Sequence, residues 1–471
     1  MYNKIVRTLA TLAFSLGACS ALHAETLNEI YQHALQNDHE FKAAQAAYEA
    51  GLQSKNIGRS GLLPLVTGQY QWADSETDRS GIEDTFIEDP LDEDAEIFAP
   101  DHPLNTSLTN TNSGYSLSLT QPLFDMAAWQ SYKQGKLSAK SAEAEFQAAK
   151  QSLVIRTAEA YFNALRAADN LSTAVAEENA LAHELKRTKK RFEVGLTAIT
   201  EVHEAQASYD SALAQRLQNE GNLGINFEAL EVVTGRSYAA LSPLKKDFPV
   251  LPPSPIDRQE WVDFAVSNNF DLATSSLAAE RARRRAKELK AGHYPRVTGS
   301  ANYSKFNDDG AANGFNSDID TEVQSFGITV TVPIFSGGGV SASRKQAAYQ
   351  YLQAKENYNR AQRDTVQGAR SLHLTVMTDV ATIKARKQAT VSNKSALEAT
   401  QAGYDVGTRD LVDVLNAQRR LYAAQRDYLN SLYTYILNTL RLKEVAGILT
   451  PQDIEKLDAW LDESALVSRN I

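Results

Sequence analysis

The sequence predicts a mixed α and β fold, internally duplicated, with two long helical hairpins and four strands of membrane-barrel type. Three observations predict it. The 471 residues repeat their own element order, two long stretches lack proline, and four short stretches alternate apolar with small polar residues. The repetition is plainest where RFEVGLTAITEVHEAQ (191–206) meets GYDVGTRDLVDVLNAQ (403–418), matching Gly195/Gly407, Val202/Val414 and Gln206/Gln418 at an offset of 212. The run from Ile30 to Gly68 recurs 231 residues later through Ala34/Ala265, Asn37/Asn268, Pro64/Pro295 and Gly68/Gly299. The change of offset puts about 20 extra residues of the first copy between Trp72 and Tyr115. A repeated unit that cannot close its own core builds a ring or an array.

Residues 1–24 read as a secretory signal peptide, with Lys4 and Arg7, an apolar stretch from Leu9 to Ala18, and Leu22-His23-Ala24 before Glu25. Cleavage there removes Cys19, the only cysteine, and leaves a chain without disulfides. Leu16-Gly17-Ala18-Cys19 also fits a lipoprotein box, so a chain acylated at Cys19 is the alternative. No later stretch approaches the roughly 18 apolar residues of a transmembrane helix, so any membrane crossing must use strands. The first repeat is assigned to 25–242 and the second to 257–449. A linker over 243–256 separates them, with five prolines between Pro243 and Pro255, and a C-terminal equatorial segment follows over 450–471.

Each repeat opens with a helix and continues into strands at about 64–73 and 114–123, or about 295–305 and 325–334. Tyr115, Leu117 and Leu119 alternate with Ser116, Ser118 and Thr120, as Phe326, Ile328 and Val330 do with Gly327, Thr329 and Thr331. Alternation alone fits both a lipid-facing barrel strand and a half-buried strand of a soluble sheet. On the barrel reading, four strands cannot close and open edges are forbidden in lipid, so several chains are required; three copies supply about 12 strands. The stretch 74–101 joins two strands and carries twelve Asp or Glu against Arg79 alone, which predicts a solvated outer loop rather than a metal site.

The long helical hairpins are predicted over 125–235 and 337–446, where proline is absent from 123–242 and from 334–450. Leu153, Ala160, Ala167, Ala174 and Leu181 recur every seven residues beside Val154, Tyr161, Ala168, Val175 and Ala182. Two such columns make a helix that supercoils against neighbours on more than one side. A helix from Asp125 to Glu193 would be on the order of 100 Å long. Each long helix ends at a glycine turn, Val194-Gly195-Leu196 or Val406-Gly407-Thr408, after which a second helix returns.

Residues 74–101 carry a local balance of −11 (twelve acidic residues less Arg79) within the formal total of −10, so the rest is close to neutral, which gives no support for nucleic-acid binding. Ser336-Gly337-Gly338-Gly339 lacks phosphate-loop spacing and reads as a strand-to-helix swing. Arg281, Arg283, Arg284, Arg285 and Lys287 read as a solvated or ion-paired face. There is no HExxH, no GxSxG and no Cys–His pair, so no enzyme, metal or cofactor is predicted.

The segments ETLNEIYQHAL, QPLFD, RFEVGLTAIT, PIFSGG and YDVGTRDLVDVLNA, in this order, resemble the TolC family of outer-membrane channels across the whole mature chain. The resemblance implies a homotrimer: a 12-stranded β-barrel in the outer membrane, continued by an α-helical coiled-coil tube across the periplasm. It implies a passive exit duct for tripartite efflux and type I secretion, working with a periplasmic adaptor and an inner-membrane RND or ABC transporter. It implies a gating latch of Tyr404 and Arg409 on the inner hairpin facing Thr200 and Glu201. It also implies an entrance selectivity ring at Asp413 and Asn416. The family has Asp where this chain has Glu201 and Asn416, so latch geometry and ring charge depart from its pattern. Residues 194–196 and 406–408 become adaptor-docking turns. Without the resemblance, Tyr404 and Arg409 read as ordinary packing and surface pairing, and the hairpins fit equally a periplasmic coiled-coil or adaptor protein that never enters the membrane.

Overall fold

The computed structural model describes residues 24–89, 91–312, 315–462 and 464–469; the signal peptide up to His23, with Cys19, lies outside them. The order is α1 (Leu27–Asn37), α2 (His39–Ser60), β1 (Leu65–Asp89), β2 (Asp92–Phe124), α3 (Met126–Glu193), α4 (Ile199–Thr234), β3 (Ala240–Leu241), α5 (Arg258–Asn268), α6 (Phe270–Lys290), β4 (Arg296–Ala312), β5 (Phe315–Thr331), α7 (Gly339–Asp405), α8 (Leu411–Val445), α9 (Pro451–Asp458) and β6 (Val467–Ser468). The chain divides into two compact units. One holds the chain up to Ala50, Ser141–Ser276 and the chain from Glu356; the other holds Gly51–Lys140 and Leu277–Lys355. Neither unit is one sequence repeat, because the long helices pass through both.

In the helical unit, α1 begins at a capping box in which Thr26 and Glu29 satisfy each other's backbone N–H groups. Asp38 caps the start of α2, accepting from Phe41 N at 2.8 Å, and Asn269 does the same for α6 through Leu272 N at 2.8 Å. The core gathers Leu27, Ile30, Tyr161, Phe162, Phe227 and Trp261, all at most 2% exposed, against Ile436 and Leu440 of α8. Two of its tyrosine hydroxyls are paired: Tyr161 donates to Ser242 O at 2.6 Å and Tyr433 donates to Asp169 Oδ2 at 2.5 Å. The chain ends are clasped here, since Ala240 pairs with Ser468 and Glu25 bridges to Leu241.

The second unit is a four-stranded antiparallel sheet in the order β1-β2-β4-β5. The register aligns Tyr70, Tyr115 and Lys305, and aligns Val66 with Leu119, Ala301 and Phe326. One face is thereby apolar and exposed, with Tyr70, Trp72, Leu117, Phe326, Ile328 and Val330 upon it. The other is polar, with Thr67 hydrogen-bonded to Ser118 at 2.6 Å and Asn302 to Ser325 at 3.4 Å. Gly135 lets α3 approach α2 closely: a Cβ there would lie 2.3 Å from Ser54 O.

Two expectations are corrected. The strands outrun the ten or so residues predicted, reaching 25 in β1, 33 in β2 and 17 in each of β4 and β5. The acidic stretch 74–101 is not a loop but a continuation of the β1–β2 ladder, from Asp74↔Thr111 to Asp89↔Asp92. Backbone N–H and C=O groups supply this pairing, and Phe86 and Phe98 meet edge to face at 5.5 Å across the ladder, holding its register. Charge density hid that aromatic pair.

Candidate functional site

Both long hairpins turn through the same local geometry. Gly195 and Gly407 adopt φ of +74° and +80°, and a residue with a Cβ would meet a cost of about 1–2 kcal/mol there. Leu196 N donates to Arg191 O at 2.8 Å, and Thr408 N donates to Gly403 O at 2.8 Å, the six-residue closure of a Schellman turn. Val194, Leu196 and Val406 stand exposed at the tips, and Thr408 bonds back to Gly403 O through its hydroxyl. The return helix α8 starts at Asp410, whose carboxylate accepts from Asp413 N at 2.8 Å.

Just inside the tips an apolar cluster of Leu181, Leu185, Ala205, Leu411, Val414 and Leu415 supports Tyr404, which is 5% exposed. The phenol donates to Glu201 Oε2 at 3.2 Å. The guanidinium carbons of Arg191 and Arg187 lie 4.8 and 5.7 Å from the ring centroid. Arg187 also bonds the carboxylate of Asp405 and lies 4.0 Å from buried Glu184. Burial, then the Glu201 carboxylate, pushes the Tyr404 phenol up, so it stays protonated and able to donate. Burial likewise raises Glu184, whereas the hydrogen bond from Arg187 holds Asp405 below the usual carboxylate range.

The predicted residues are therefore only partly brought together within one chain. Tyr404 and Glu201 meet; Thr200 is exposed and makes no hydrogen bond through its side chain among the described residues. Arg409 reaches Asp413 Oδ2 at 3.4 Å, one turn along, because the two flank the start of the same helix. Asp413 and Asn416 share a face of α8, Asn416 accepting from Arg419. Sequence reasoning missed Arg187, Arg191 and Asp405. Their signal was present: Arg187 stands one turn before Arg191, which lies in the basic last turn of α3, and an aspartate adjoins Tyr404.

A pH dependence follows. Because the folded state raises the Glu184 pKa, it binds that proton more tightly than the unfolded chain does. This group's contribution to stability grows as pH falls through the raised value towards the ordinary glutamate value. Asp405 has the opposite sign: its contribution is present above the ordinary aspartate value and is lost progressively as pH falls from there through its depressed one. In a carboxyl NMR titration Glu184 is expected to protonate well before Asp405; simultaneous protonation would contradict the geometry.

The sequence profile of the family described as Outer membrane efflux protein matches residues 30–236 and 261–448. The Outer membrane protein TolC of Vibrio cholerae is 33% identical over 94% of this chain and 95% of its own length. The Alkaline protease secretion protein AprF of Pseudomonas aeruginosa is 30% identical over 98% and 90%. Among solved structures, the CmeC outer membrane channel of Campylobacter jejuni shares the fold with a TM-score of 0.71 at 19% identity, over 93% of this chain and 90% of that one. These matches set aside the reading of a periplasmic protein that never enters the membrane. With near-complete coverage of its relatives and the fold of known channels, the chain belongs to the outer membrane efflux protein family and is a TolC-like protein of the outer membrane.

Proposed function

We propose that three copies of this chain form a passive exit duct, not an enzyme and without a cofactor: a 12-stranded barrel in the outer membrane continued by a helical tube. The observation that carries this is the open sheet. It has an exposed apolar face, and among the described residues its edge strands β1 and β5 have no outer neighbour. In lipid such edges must be paired, and pairing β5 of one copy with β1 of the next leaves none open. Similarity to TolC proteins and to a protease secretion protein supports service to both tripartite efflux and type I secretion, with a periplasmic adaptor and an RND or ABC transporter as partners.

On this reading the hairpin tips form the gate, and Tyr404 with Glu201 is its inner latch. Arg409 and Thr200 serve as links between neighbouring copies. Half-exposed ion pairs contribute up to about 1 kcal/mol each, enough to bias a gate when repeated around a ring and weak enough for an adaptor to break. The exposed turns at Gly195 and Gly407 are the docking points. Gly407→Asp is expected to abolish export while leaving trimers intact, and normal export would refute the docking role. Asp413 repeats around the entrance and favours cations. Asn416→Asp adds a second carboxylate ring and is expected to raise cation selectivity and block by multivalent cations; unchanged reversal potentials would exclude this ring.

The test of the duct is single-channel conductance of the full-length protein in planar bilayers. A small cation-selective conductance is expected. Insertion as trimers without any conductance would overturn the reading.

A further inference from the structure

The charges of the sheet-bearing unit are sorted to its two ends. Its helical stretches, 51–64, 125–140, 277–295 and 332–355, carry fourteen Lys or Arg against three Asp or Glu, a balance of +11 in a chain whose total is −10. The far end of the same sheet is the acidic ladder of 74–101. The three acids among the helices are already engaged: Glu280 by Arg283 and Arg284, Glu288 by Arg285, and Asp125 by Arg296 of β4. Apart from Arg283, Arg284 and Arg285, the other eleven helical cations form no ion pair among the described residues, and all but Lys133 are exposed.

These stretches make one band. Helix α3 approaches α2 at Gly135, Gln134 of α3 bonds Glu288 of α6, and Gly292 lies against Val340 of α7. Every crossing between helix and strand falls at one end of the sheet, where Leu65 pairs with Thr120, Thr120 with Ser300, and Arg296 with Thr331. The surface of that end is apolar and aromatic: Leu123, Phe124, Trp129, Ile334 and Phe335 are exposed, Ile334 at 96% and Phe335 at 87%. Lys133 Nζ lies 5.2 Å from the centre of the Trp129 ring, and Lys136 Nζ lies 5.8 Å from that of Tyr132, in each case reaching back one turn. Long side chains lean towards the N-terminus of their helix, and the N-terminus of α3 is where β2 ends. The ammonium groups are thereby held beside the aromatic residues. Apolar surface, then aromatic rings, then unpaired cations is the order met on leaving hydrocarbon for anionic headgroups.

We propose that this band binds the phosphates of anionic phospholipid in the leaflet on the helical side of the membrane, so that the chain selects its own lipid neighbours. The proposal rests on the barrel reading given above, which puts the apolar face in lipid. A second copy brings the same excess of charge, so a ring of copies concentrates it rather than neutralising it. Phosphate oxygens accept from guanidinium and ammonium groups alike. Each Lys or Arg close to an anionic surface strengthens association about fivefold.

The test is fluorescence quenching of the full-length protein reconstituted in vesicles, with Trp72→Phe so that Trp129 is the remaining tryptophan of this unit. Phosphatidylglycerol brominated on its acyl chains is compared with phosphatidylcholine brominated in the same way. At low salt the phosphatidylglycerol is expected to be preferred several-fold at Trp129, and the preference to shrink as salt rises. Lys136→Gln with Lys140→Gln, Lys287→Gln and Lys290→Gln is expected to bring the ratio close to one. Should that variant fail to fold, the salt dependence of the parent protein decides. Equal quenching by the two lipids at low salt, or a preference indifferent to salt, would overturn the proposal and leave the barrel standing. A preference abolished by soluble glycerol phosphate at constant ionic strength would show a site for free phosphate and overturn the lipid assignment. Absence of quenching by either lipid, with Trp72 restored as well, would instead overturn the barrel reading itself.

Discussion

An alanine at Tyr404 is expected to release both hairpin tips at once, raising single-channel conductance several-fold over the wild-type protein. The side chain joins three things: the apolar cluster beneath it, the phenol–Glu201 hydrogen bond, and the two guanidinium groups of Arg187 and Arg191 against its faces. Removing a buried aromatic ring costs roughly 2–4 kcal/mol where the cluster is this small. Tyr404→Phe isolates the hydrogen bond, worth about 1 kcal/mol, and should open the gate far less. Arg187→Ser, which also frees Asp405, should fall between the two. Amide exchange through 181–205 should accelerate in the same order. Equal conductance of Tyr404→Ala and wild type, with trimers intact, would remove Tyr404 from the gate.

The largest loss of stability is expected from Phe162→Ala. Phe162 is fully buried, meets Tyr161 edge to face at 5.5 Å, and lies 6.1 Å from Tyr433. Deleting such a ring costs about 3–5 kcal/mol, partly transfer and partly the cavity left behind. The cavity would also loosen Tyr433, whose hydroxyl satisfies Asp169, a carboxylate that burial already pushes up. Phe192→Ala is the control: at 42% exposure beside the tip it should change stability by less than about 0.5 kcal/mol. The comparison is made by urea unfolding followed by tryptophan fluorescence. A midpoint for Phe162→Ala matching the control would show that the core does not depend on this ring.

Much of the architecture was legible because it rests on periodic, local signals. The proline-free runs coincide with α3–α4 and α7–α8, and the glycines after them adopt the left-handed conformation that ends a helix. Strand length was not legible: past Trp72 the alternation is broken by charge, whereas the structure continues the ladder to Asp89↔Asp92, with Phe86 meeting Phe98 across it. At the tips, Tyr404 and Glu201 stand 203 residues apart in sequence, and resemblance brought them together. Arg187 was missed because its role depends on a third helix, α7, meeting the end of α3. A helix end records which residues are charged but not which neighbour arrives beside it.

The interleaving of the two units has a consequence for biogenesis. The sheet-bearing unit needs residues as late as Lys355, and the helical unit needs the last segments of all, with β6 clasping β3 and Glu25 bridging to Leu241. A chain emerging from its N-terminus therefore cannot finish either unit until most of it has been delivered. Both units thus depend on contacts between segments far apart in the chain, so neither can close on its early residues alone.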